Sequence, residues 1–264
     1  MARARPQNPN AFFPPQPDNI IESQDIIDIM PHYKRDTWLV LDLDNTIWEP
    51  ADEHDELGSD QWFMKLWNYG TKVDLSGDNL DGAVLVLAIY HAVQHQVNMQ
   101  LIQPEAINVI EFFQAMGNQV LFLTARGSEI MLPTKQQLMA NGIDTLANSP
   151  RMEIVLDIGE KKNPPIYNNN VVYCSGKPKE KCLKALLDVA EAHPNIIYVD
   201  DKDKYLHAVG KMVKEYGGQA TCLHYRRLDE KVLKHDFQKA NRKLEEIRAD
   251  LPNEAQEALM KLKM

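Results

Sequence analysis

The sequence is poor in cysteine, carries no excess of positive charge and contains no long apolar run. Its three cysteines, Cys174, Cys182 and Cys222, form no Cys-x-x-Cys pair and no Cys/His pattern typical of zinc, so we expect reduced, partly buried thiols. The formal net charge of −9 argues against nonspecific binding to duplex nucleic acid. No apolar stretch has the length of a membrane-spanning helix. We therefore expect neither a nucleic-acid partner nor a membrane span.

Residues 1–17 are rich in proline and asparagine, which predicts a poorly ordered arm. Basic residues occur in this arm, but no apolar core follows them. The arm therefore does not have the pattern of a secretory signal, and we expect a cytoplasmic protein. The 264 residues are enough for one well-buried domain with a substantial insertion. The sequence indicates no oligomeric state.

The rest of the chain alternates between short apolar runs and helical patterns. The apolar runs predict strands over 37–43, 119–123, 196–199 and 219–223. The helical patterns predict helices over 104–116, 131–140 and 178–192. This alternation predicts an α/β fold in which a Rossmann-like, mostly parallel sheet lies between two layers of helices.

Three further segments have patterns of their own. Isoleucines between residues 20 and 29 predict a helix lying against the domain. Residues 151–174 predict strand pieces around a turn rich in proline and asparagine. Residues 47–103 contain two helical patterns between the first strand and the next core helix. We interpret them as a helical cap inserted into a core made of residues 18–46 and 104–264.

Polar side chains follow three of the predicted strands. Asp42 lies at the end of the first predicted strand and Asp44 directly after it, and in strand geometry residues two apart point to the same side. Thr124 ends the second strand, and Asp200 and Asp201 end the third. Ligands of open α/β sheets bind outside the carboxyl ends of the strands. We therefore expect these side chains to share one site.

This combination of side chains suits phosphoryl transfer from a monoester. One carboxylate attacks phosphorus, a second protonates the leaving oxygen, and further carboxylates bind a divalent cation such as Mg²⁺. A hydroxyl group and an ammonium group neutralise the phosphoryl oxygens. The candidates for the ammonium are Lys177, Lys179 and Lys181, which lie at or near the start of a predicted helix.

In this order the motifs resemble those of the haloacid dehalogenase-like (HAD) hydrolase superfamily. The string DLDNT at 42–46 matches the first motif, DxDxT, and VLFLT at 120–124 matches the second, a strand ending in Ser or Thr. A helix-borne lysine is the third motif, and IIYVDD at 196–201 matches the fourth. The strings DLDNTIWEP, LGSDQWF and LTAR are more narrowly similar to a group of such proteins known as DUF2608, which brings no known substrate.

The resemblance implies a nucleophile, a general acid and a metal site. Asp42 would form an aspartyl-phosphate, and Asp44 would be the general acid and then the base that activates water. Thr124 would hydrogen-bond to the phosphoryl group. Mg²⁺ would be held by Asp42, Asp200 and the backbone carbonyl of Asp44. Asp201 would either bind the ion through water or orient its neighbours.

The resemblance does not decide which lysine is the motif lysine. Superfamily members of this type often have Lys-Gly before an apolar helix. The run 181–183, Lys-Cys-Leu, fits that register best although the glycine is missing, so Lys181 is the expected catalytic lysine, with Lys177 and Lys179 still open. Apart from the resemblance, Arg126 leaves the same strand end as Thr124, which favours contact with an anionic group of the substrate over an ion pair with a surface acid. Asn45, inside the first motif, is also predicted to contact the substrate.

The favoured hypothesis is a Mg²⁺-dependent phosphomonoester hydrolase that acts on a small phosphorylated substrate. A dehalogenase is a weaker hypothesis, because Asp44 would then have no role as a general acid. The alternative from another class is a catalytically weak interaction protein on an HAD scaffold. The missing glycine after Lys181 supports that alternative, and the closely placed intact acids argue against it.

Overall fold

The computed structural model describes residues 20–73, 81–149 and 152–264, so the arm predicted at 1–17 lies outside the described residues. The strands are β1 (Ile20–Ser23), β2 (Thr37–Leu41), β3 (Trp48–Pro50), β4 (Met99–Leu101), β5 (Val120–Thr124), β6 (Glu153–Val155), β7 (Ile166–Asn168), β8 (Val171–Tyr173), β9 (Asn195–Asp200) and β10 (Ala220–Tyr225). The α-helices are α1 (Asp60–Gly70), α2 (Gly82–Gln94), α3 (Ala106–Ala115), α4 (Met131–Ala140), α5 (Lys179–Ala190), α6 (Asp203–Glu215), α7 (Asp229–Leu233), α8 (Phe237–Ile247) and α9 (Asn253–Lys261).

Most strands of the described residues belong to one mixed sheet. Its eight strands follow the order β1-β10-β9-β2-β5-β8-β7-β6. Neighbours from β1 to β8 are parallel, and the last two pairings are antiparallel. The strands β3 and β4 form a separate antiparallel pair. The predicted α/β fold with a Rossmann-like, mostly parallel sheet is therefore confirmed.

The central strands are buried on both faces, which is why they read as continuous apolar runs rather than as alternating ones. Along β2, Leu39 and Leu41 belong to one hydrophobic cluster and Val40 to another. The same alternation occurs along β9, where Val199 lies in the first cluster and Tyr198 in the second. The second cluster contains the apolar faces of α5 and α6, and the first contains those of α2, α3, α8 and α9. The sheet is thus the middle of three layers.

The antiparallel edge of the sheet follows from a turn in the predicted segment 151–174. Only Asn169 and Asn170 separate β7 from β8, and both have positive φ, 49° and 63°. Two left-handed residues in a two-residue loop give the type I′ turn that joins antiparallel strands, and asparagine tolerates that conformation. The chain therefore reverses here instead of crossing over through a helix.

The helix predicted from the isoleucines between 20 and 29 is only partly present. Residues Ile20–Ser23 form β1, which pairs in parallel with β10 at the edge of the sheet. A 3-10 helix covers Ile26–His32, where the side chain of Asp25 accepts a hydrogen bond from the backbone N–H of Ile27. The prediction of a helix at the start of this segment was wrong. Two adjacent isoleucines fit one turn of a helix, but they fit equally well a strand that is partly covered on both faces.

The insertion at 47–103 is joined tightly to the rest of the domain. It contains β3, α1, α2 and β4, and its Trp62 and Ile89 lie in the same hydrophobic cluster as Leu41 of the sheet and Leu259 of α9. The indole of Trp62 also donates a hydrogen bond to Asn241 of α8. This shared core fixes α1 and α2 against the C-terminal helices. The role of the insertion as a cap stays a prediction.

None of the helices in the described ranges combines the length and the apolar character needed to cross a membrane.

Candidate active site

Three neighbouring strands of the sheet end at the candidate site. Asp42 directly follows β2, Thr124 is the last residue of β5, and Asp200 is the last residue of β9. Because β9, β2 and β5 are adjacent and parallel, their carboxyl ends meet at one edge of the sheet. The backbone N–H of Asp42 donates to the carbonyl of Val199 at 2.9 Å, which continues the pairing of β2 with β9 into the site.

The side chains of Asp42, Asp200 and Asp201 form an acidic cluster. One carboxylate oxygen from each lies within 4.8 Å of the others. Asp42 and Asp200 are buried, at 5% and 0% exposure, so water screens the repulsion between their carboxylates only weakly. The structure thus places three of the four predicted metal-binding acids together.

Lys179 is the lysine that contacts this cluster. Its Nζ lies 2.6 Å from Oδ1 of Asp42 and 2.7 Å from Oδ2 of Asp200, and its side chain is only 1% exposed. Lys179 is the first residue of α5 and follows Pro178, a residue often found where helices begin. The buried ammonium joins the ends of β2 and β9.

The expectation that Lys181 is the motif lysine is corrected by this geometry. Residues two apart on an α-helix are rotated by about 200°, so Lys179 and Lys181 project from nearly opposite faces. Lys181 is exposed, and Lys177 forms an ion pair with Glu160 at 2.5 Å. The residue after Lys181, where the glycine is missing, is Cys182, which is buried in the second hydrophobic cluster.

Several hydrogen bonds hold the acids in place. Oδ1 of Asp200 accepts from the backbone N–H of Lys202 at 2.8 Å, and Oδ2 accepts from the hydroxyl of Tyr198 as well as from Lys179. Oδ2 of Asp201 accepts from the side-chain amide of Asn45 at 3.3 Å. Asn45 has a φ of 62°, a left-handed conformation that asparagine adopts more readily than most residues.

The electrostatics of the cluster favour an additional positive charge. Burial raises the pKa of Asp42 well above its ordinary value, and the charges of Asp200 and Asp201 add to this effect although Lys179 opposes it. Burial likewise raises the pKa of Asp201 to about 7 against the opposing charge of Lys202. Carboxylates with pKa values raised this far have too little positive charge near them to stabilise their ionised forms.

The donor set fits a hard divalent cation. Oδ1 of Asp201 is buried and has no hydrogen-bond partner among the described residues, although a buried oxygen without a partner is costly. Three carboxylates offer only oxygen ligands, which is the chemistry that Mg²⁺ prefers. Asp42, Asp200 and Asp201 could therefore hold such an ion.

The side chain of Asp44 lies outside this cluster and forms an ion pair with Arg126. Nε of Arg126 lies 2.9 Å from Oδ2 of Asp44, and Nη2 lies 2.7 Å from Oδ1. The indole of Trp48 donates to Oδ1 at 3.1 Å. Burial alone would raise the pKa of Asp44, but the charge and hydrogen bonds of Arg126, with the Trp48 bond, outweigh it and lower the pKa below its ordinary value. That its backbone carbonyl binds a metal stays a prediction.

The predicted contact between Arg126 and the substrate is not what this geometry favours. The Arg126 side chain is 1% exposed. Its Nη1 donates to Thr134 at 3.1 Å and to Gln137 at 2.7 Å, while Nε and Nη2 bind Asp44. With its guanidinium buried and engaged on both sides, Arg126 is placed to hold Asp44 rather than an incoming anion.

Thr124 lies at the floor of the site and is fully buried. Its Oγ1 accepts a hydrogen bond from the backbone N–H of Arg126 at 3.2 Å. This bond uses an oxygen lone pair, so the hydroxyl proton is left for another acceptor. The hydrogen bond from Thr124 to a phosphoryl oxygen stays a prediction.

Sequence reasoning overlooked several residues that shape the site. Tyr198 lies two residues before Asp200 on β9, so the strand period already placed both on one side. Gln137 accepts from Arg126 and donates to the carbonyls of Gln94 and Val97 in the insertion, and no local pattern in the sequence indicates this link. The pair formed by Lys202 and Asp60, at 2.6 Å, likewise depends on the tertiary fold.

Comparison with known proteins identifies the family. Residues 19–257 match the family model described as protein of unknown function, DUF2608. The chain belongs to the DUF2608 family. The matched range contains all the site residues described above. The acidic cluster and Lys179 of this DUF2608 protein therefore lie within the family domain. No curated protein matches the sequence.

Proposed function

We propose that this DUF2608 protein is a Mg²⁺-dependent phosphomonoester hydrolase with the chemistry of the HAD superfamily. The observation that carries the proposal is the contact of one buried ammonium, that of Lys179, with both Asp42 and Asp200 at the carboxyl ends of adjacent strands. Burying two acids around a lysine is costly, and this cost is difficult to explain by folding alone. Buried charges with strongly shifted pKa values cluster at functional sites.

In the first half of the proposed reaction, a carboxylate oxygen of Asp42 attacks phosphorus. The bond between phosphorus and the ester oxygen breaks, and the alcohol leaves with a proton from Asp44. Lys179 keeps Asp42 oriented and adds positive charge beside the phosphoryl oxygens, and the Thr124 hydroxyl donates to one of them. The product of this half is an aspartyl-phosphate on Asp42.

In the second half, water attacks the phosphorus of the aspartyl-phosphate and gives its proton to Asp44. Inorganic phosphate leaves and the carboxylate of Asp42 is restored. Arg126 holds Asp44 ionised, which suits its action as the base in this step. To act as an acid in the first half, Asp44 must take up a proton and loosen its contact with Arg126.

Asp42, Asp200 and Asp201 are the residues that would hold Mg²⁺. When bound, the ion would supply positive charge against the acidic cluster and the phosphoryl oxygens. The proposed substrate is small, because α1 and α2 are fixed beside the site by the shared core and by the pair between Asp60 and Lys202. A folded phosphoprotein would have to displace them.

Hydrolysis of an aryl phosphate with and without Mg²⁺ tests this proposal. We expect activity that a chelator abolishes and that Mg²⁺ restores, and no activity in Asp42→Asn, because an amide is a poor nucleophile. Asp36→Asn is a matched control, since Asp36 is an exposed acid that precedes β2 and its left-handed backbone suits asparagine. Full activity in Asp42→Asn, or activity that is unchanged in chelator, would contradict the proposal.

One observation favours the alternative of a catalytically weak interaction protein. Both carboxylate oxygens of Asp44 are engaged, by Arg126 and Trp48, so the candidate general acid is not free in this conformation. If the purified protein hydrolyses no phosphate ester, yet binds a protein partner equally well after Asp42→Asn, the scaffold hypothesis replaces the enzymatic one.

A further inference from the structure

A small cavity lies beside the acidic cluster, between the insertion and the segment at 228–235. Asn45 lines it and also donates its side-chain amide to Asp201. Ser59 and Gln61 line it on either side of Asp60, the residue that pairs with Lys202 next to Asp201. Asn45 and Asp60 thus join the wall of the cavity to Asp201 and to its neighbour Lys202.

The imidazole of His235 is a buried polar group in the cavity wall. Its side chain is 2% exposed, and its Nδ1 is hydrogen-bonded to the carboxylate of Glu56. A carboxylate at Nδ1 requires a proton there, so Nε2 is the nitrogen left for another group. This Nε2 is buried and has no hydrogen-bond partner among the described residues. A buried nitrogen without a partner is costly, which points to a ligand that supplies one.

The charged groups in the wall of the cavity are nearly balanced. Glu56 faces His235, and Glu49 forms an ion pair with Lys231 at 2.5 Å. An ammonium or a second phosphate group would therefore find no unpaired opposite charge here. The Oγ of Ser59 accepts from the backbone N–H of Trp62, so its hydroxyl proton is left to donate to a ligand. The wall thus offers both donors and acceptors to a neutral group.

The volume of the cavity is about 10 Å³, which is on the order of one water molecule. A hydroxyl group matches this size, and it can donate to one wall atom while it accepts from another. We propose that the cavity binds a hydroxyl group of the substrate's alcohol part, so that the preferred substrates are phosphomonoesters of short alcohols with a further hydroxyl group. This inference rests on the proposed function for the placement of the phosphoryl group at Asp42.

Binding of two matched esters tests this assignment. Glycerol 3-phosphate and n-propyl phosphate have the same carbon chain and the same phosphoryl group, but only the first has further hydroxyl groups. We would measure the binding of both by calorimetry with Mg²⁺ present, on the full-length Asp44→Asn protein, which keeps the three acids of the cluster. Neither ester should be consumed there, because their alkoxide leaving groups need the proton that Asp44 would supply. We expect glycerol 3-phosphate to bind about tenfold more tightly, as one buried hydrogen bond allows.

Variants of the cavity wall complete the test. His235→Phe removes Nε2, and Gln61→Leu provides a second variant that leaves the pair between Glu56 and His235 intact. We expect either to reduce the difference between the two esters, whereas Lys211→Gln on the exposed face of α6 should preserve it. The assignment is overturned if neither ester binds, if both bind equally to the parent, or if the difference persists in both wall variants. If the difference follows His235 but the wild-type protein hydrolyses no ester, the proposed function fails and the hydroxyl site stands.

Discussion

The Nζ of Lys179 lies 2.6 Å from Oδ1 of Asp42, and both side chains are buried at the carboxyl edge of the sheet. Burial alone would lower the pKa of Lys179, but the charges of Asp200 and Asp42 outweigh it and raise the pKa above its ordinary value. The two carboxylates therefore favour the charged ammonium over the neutral amine. This suits Lys179 to orient Asp42 rather than to deliver a proton to it.

Substitution of Lys179 separates the two candidate lysines. We expect Lys179→Met to lower kcat for an aryl phosphate at least about 100-fold, since it removes a preorganised charge beside the reacting group. Lys181→Met should keep kcat within about twofold of the wild-type value, because Lys181 is exposed on another face of α5. Initial rates of both variants give the comparison.

Removal of Lys179 also leaves two buried carboxylates without their partner, which we expect to destabilise the fold by about 3 kcal/mol. Urea unfolding of each variant shows how much of any lost activity comes from lost structure. Equal kcat values for a folded Lys179→Met variant and for Lys181→Met would contradict the assignment of Lys179.

Arg126 is expected to affect catalysis through Asp44 and not through binding of the substrate. Arg126→Met should lower kcat about tenfold to 100-fold while KM changes little, because the guanidinium contacts Asp44, Thr134 and Gln137. Arg126→Lys should have an intermediate kcat, since it keeps the charge but loses the bidentate geometry. A large rise in KM with kcat unchanged would instead show that Arg126 binds the substrate.

Binding of Mg²⁺ should be visible without any substrate. A ligand that binds only the folded state stabilises it by about 2.7 kcal/mol at a concentration 100 times its Kd. We therefore expect thermal unfolding to shift to higher temperature as Mg²⁺ is added, and the shift to be lost in Asp201→Asn. Asp188→Asn, which changes an exposed acid on α5, should keep it. The same shift in both variants would place the binding of Mg²⁺ elsewhere.

His91 in the insertion gives a test of stability against pH. Burial lowers its pKa below the ordinary value of 6.5. As the pH falls below about 6.5, His91 is protonated in the unfolded chain but stays neutral in the folded chain. The contribution of His91 to the free energy of unfolding is therefore full above pH 6.5 and is lost as the pH falls through the pKa of the folded state. We expect His91→Gln to lose less stability than wild type between neutral and mildly acidic pH, and His207→Gln, at an exposed position, to follow wild type.

The central fold was predictable because its strands are buried on both faces. Runs such as Leu39 to Leu41 and Val120 to Leu123 have no polar interruption, and this pattern distinguishes a central parallel strand from a surface one. The edge strand Ile20–Ser23 was missed because its side chains are only partly covered, so four residues carry too little periodicity to separate strand from helix. The antiparallel edge depended on the conformation of Asn169 and Asn170, which composition alone does not decide.

The acidic cluster was predictable for a different reason. Asp42, Thr124 and Asp200 stand at strand ends, and parallel strands bring such ends together whatever the details of packing. Lys179 and Arg126 act through side chains several bonds long, so their partners depend on helix rotation and burial. A shift of two residues along α5 exchanges Lys179 for Lys181, which only the three-dimensional structure distinguishes.

Detection of phosphate on Asp42 tests the central claim most directly. In Asp44→Asn an aryl phosphate can still react, because its leaving group needs little protonation, whereas the second step lacks its base. After the variant is incubated with aryl phosphate and Mg²⁺ and quenched in acid, mass spectrometry of its peptides should find a phosphoryl group on Asp42 and none in the Asp42→Asn double variant. Hydrolysis of the ester by the wild-type protein, with no phosphoryl group ever found on Asp42, would contradict the aspartyl-phosphate mechanism.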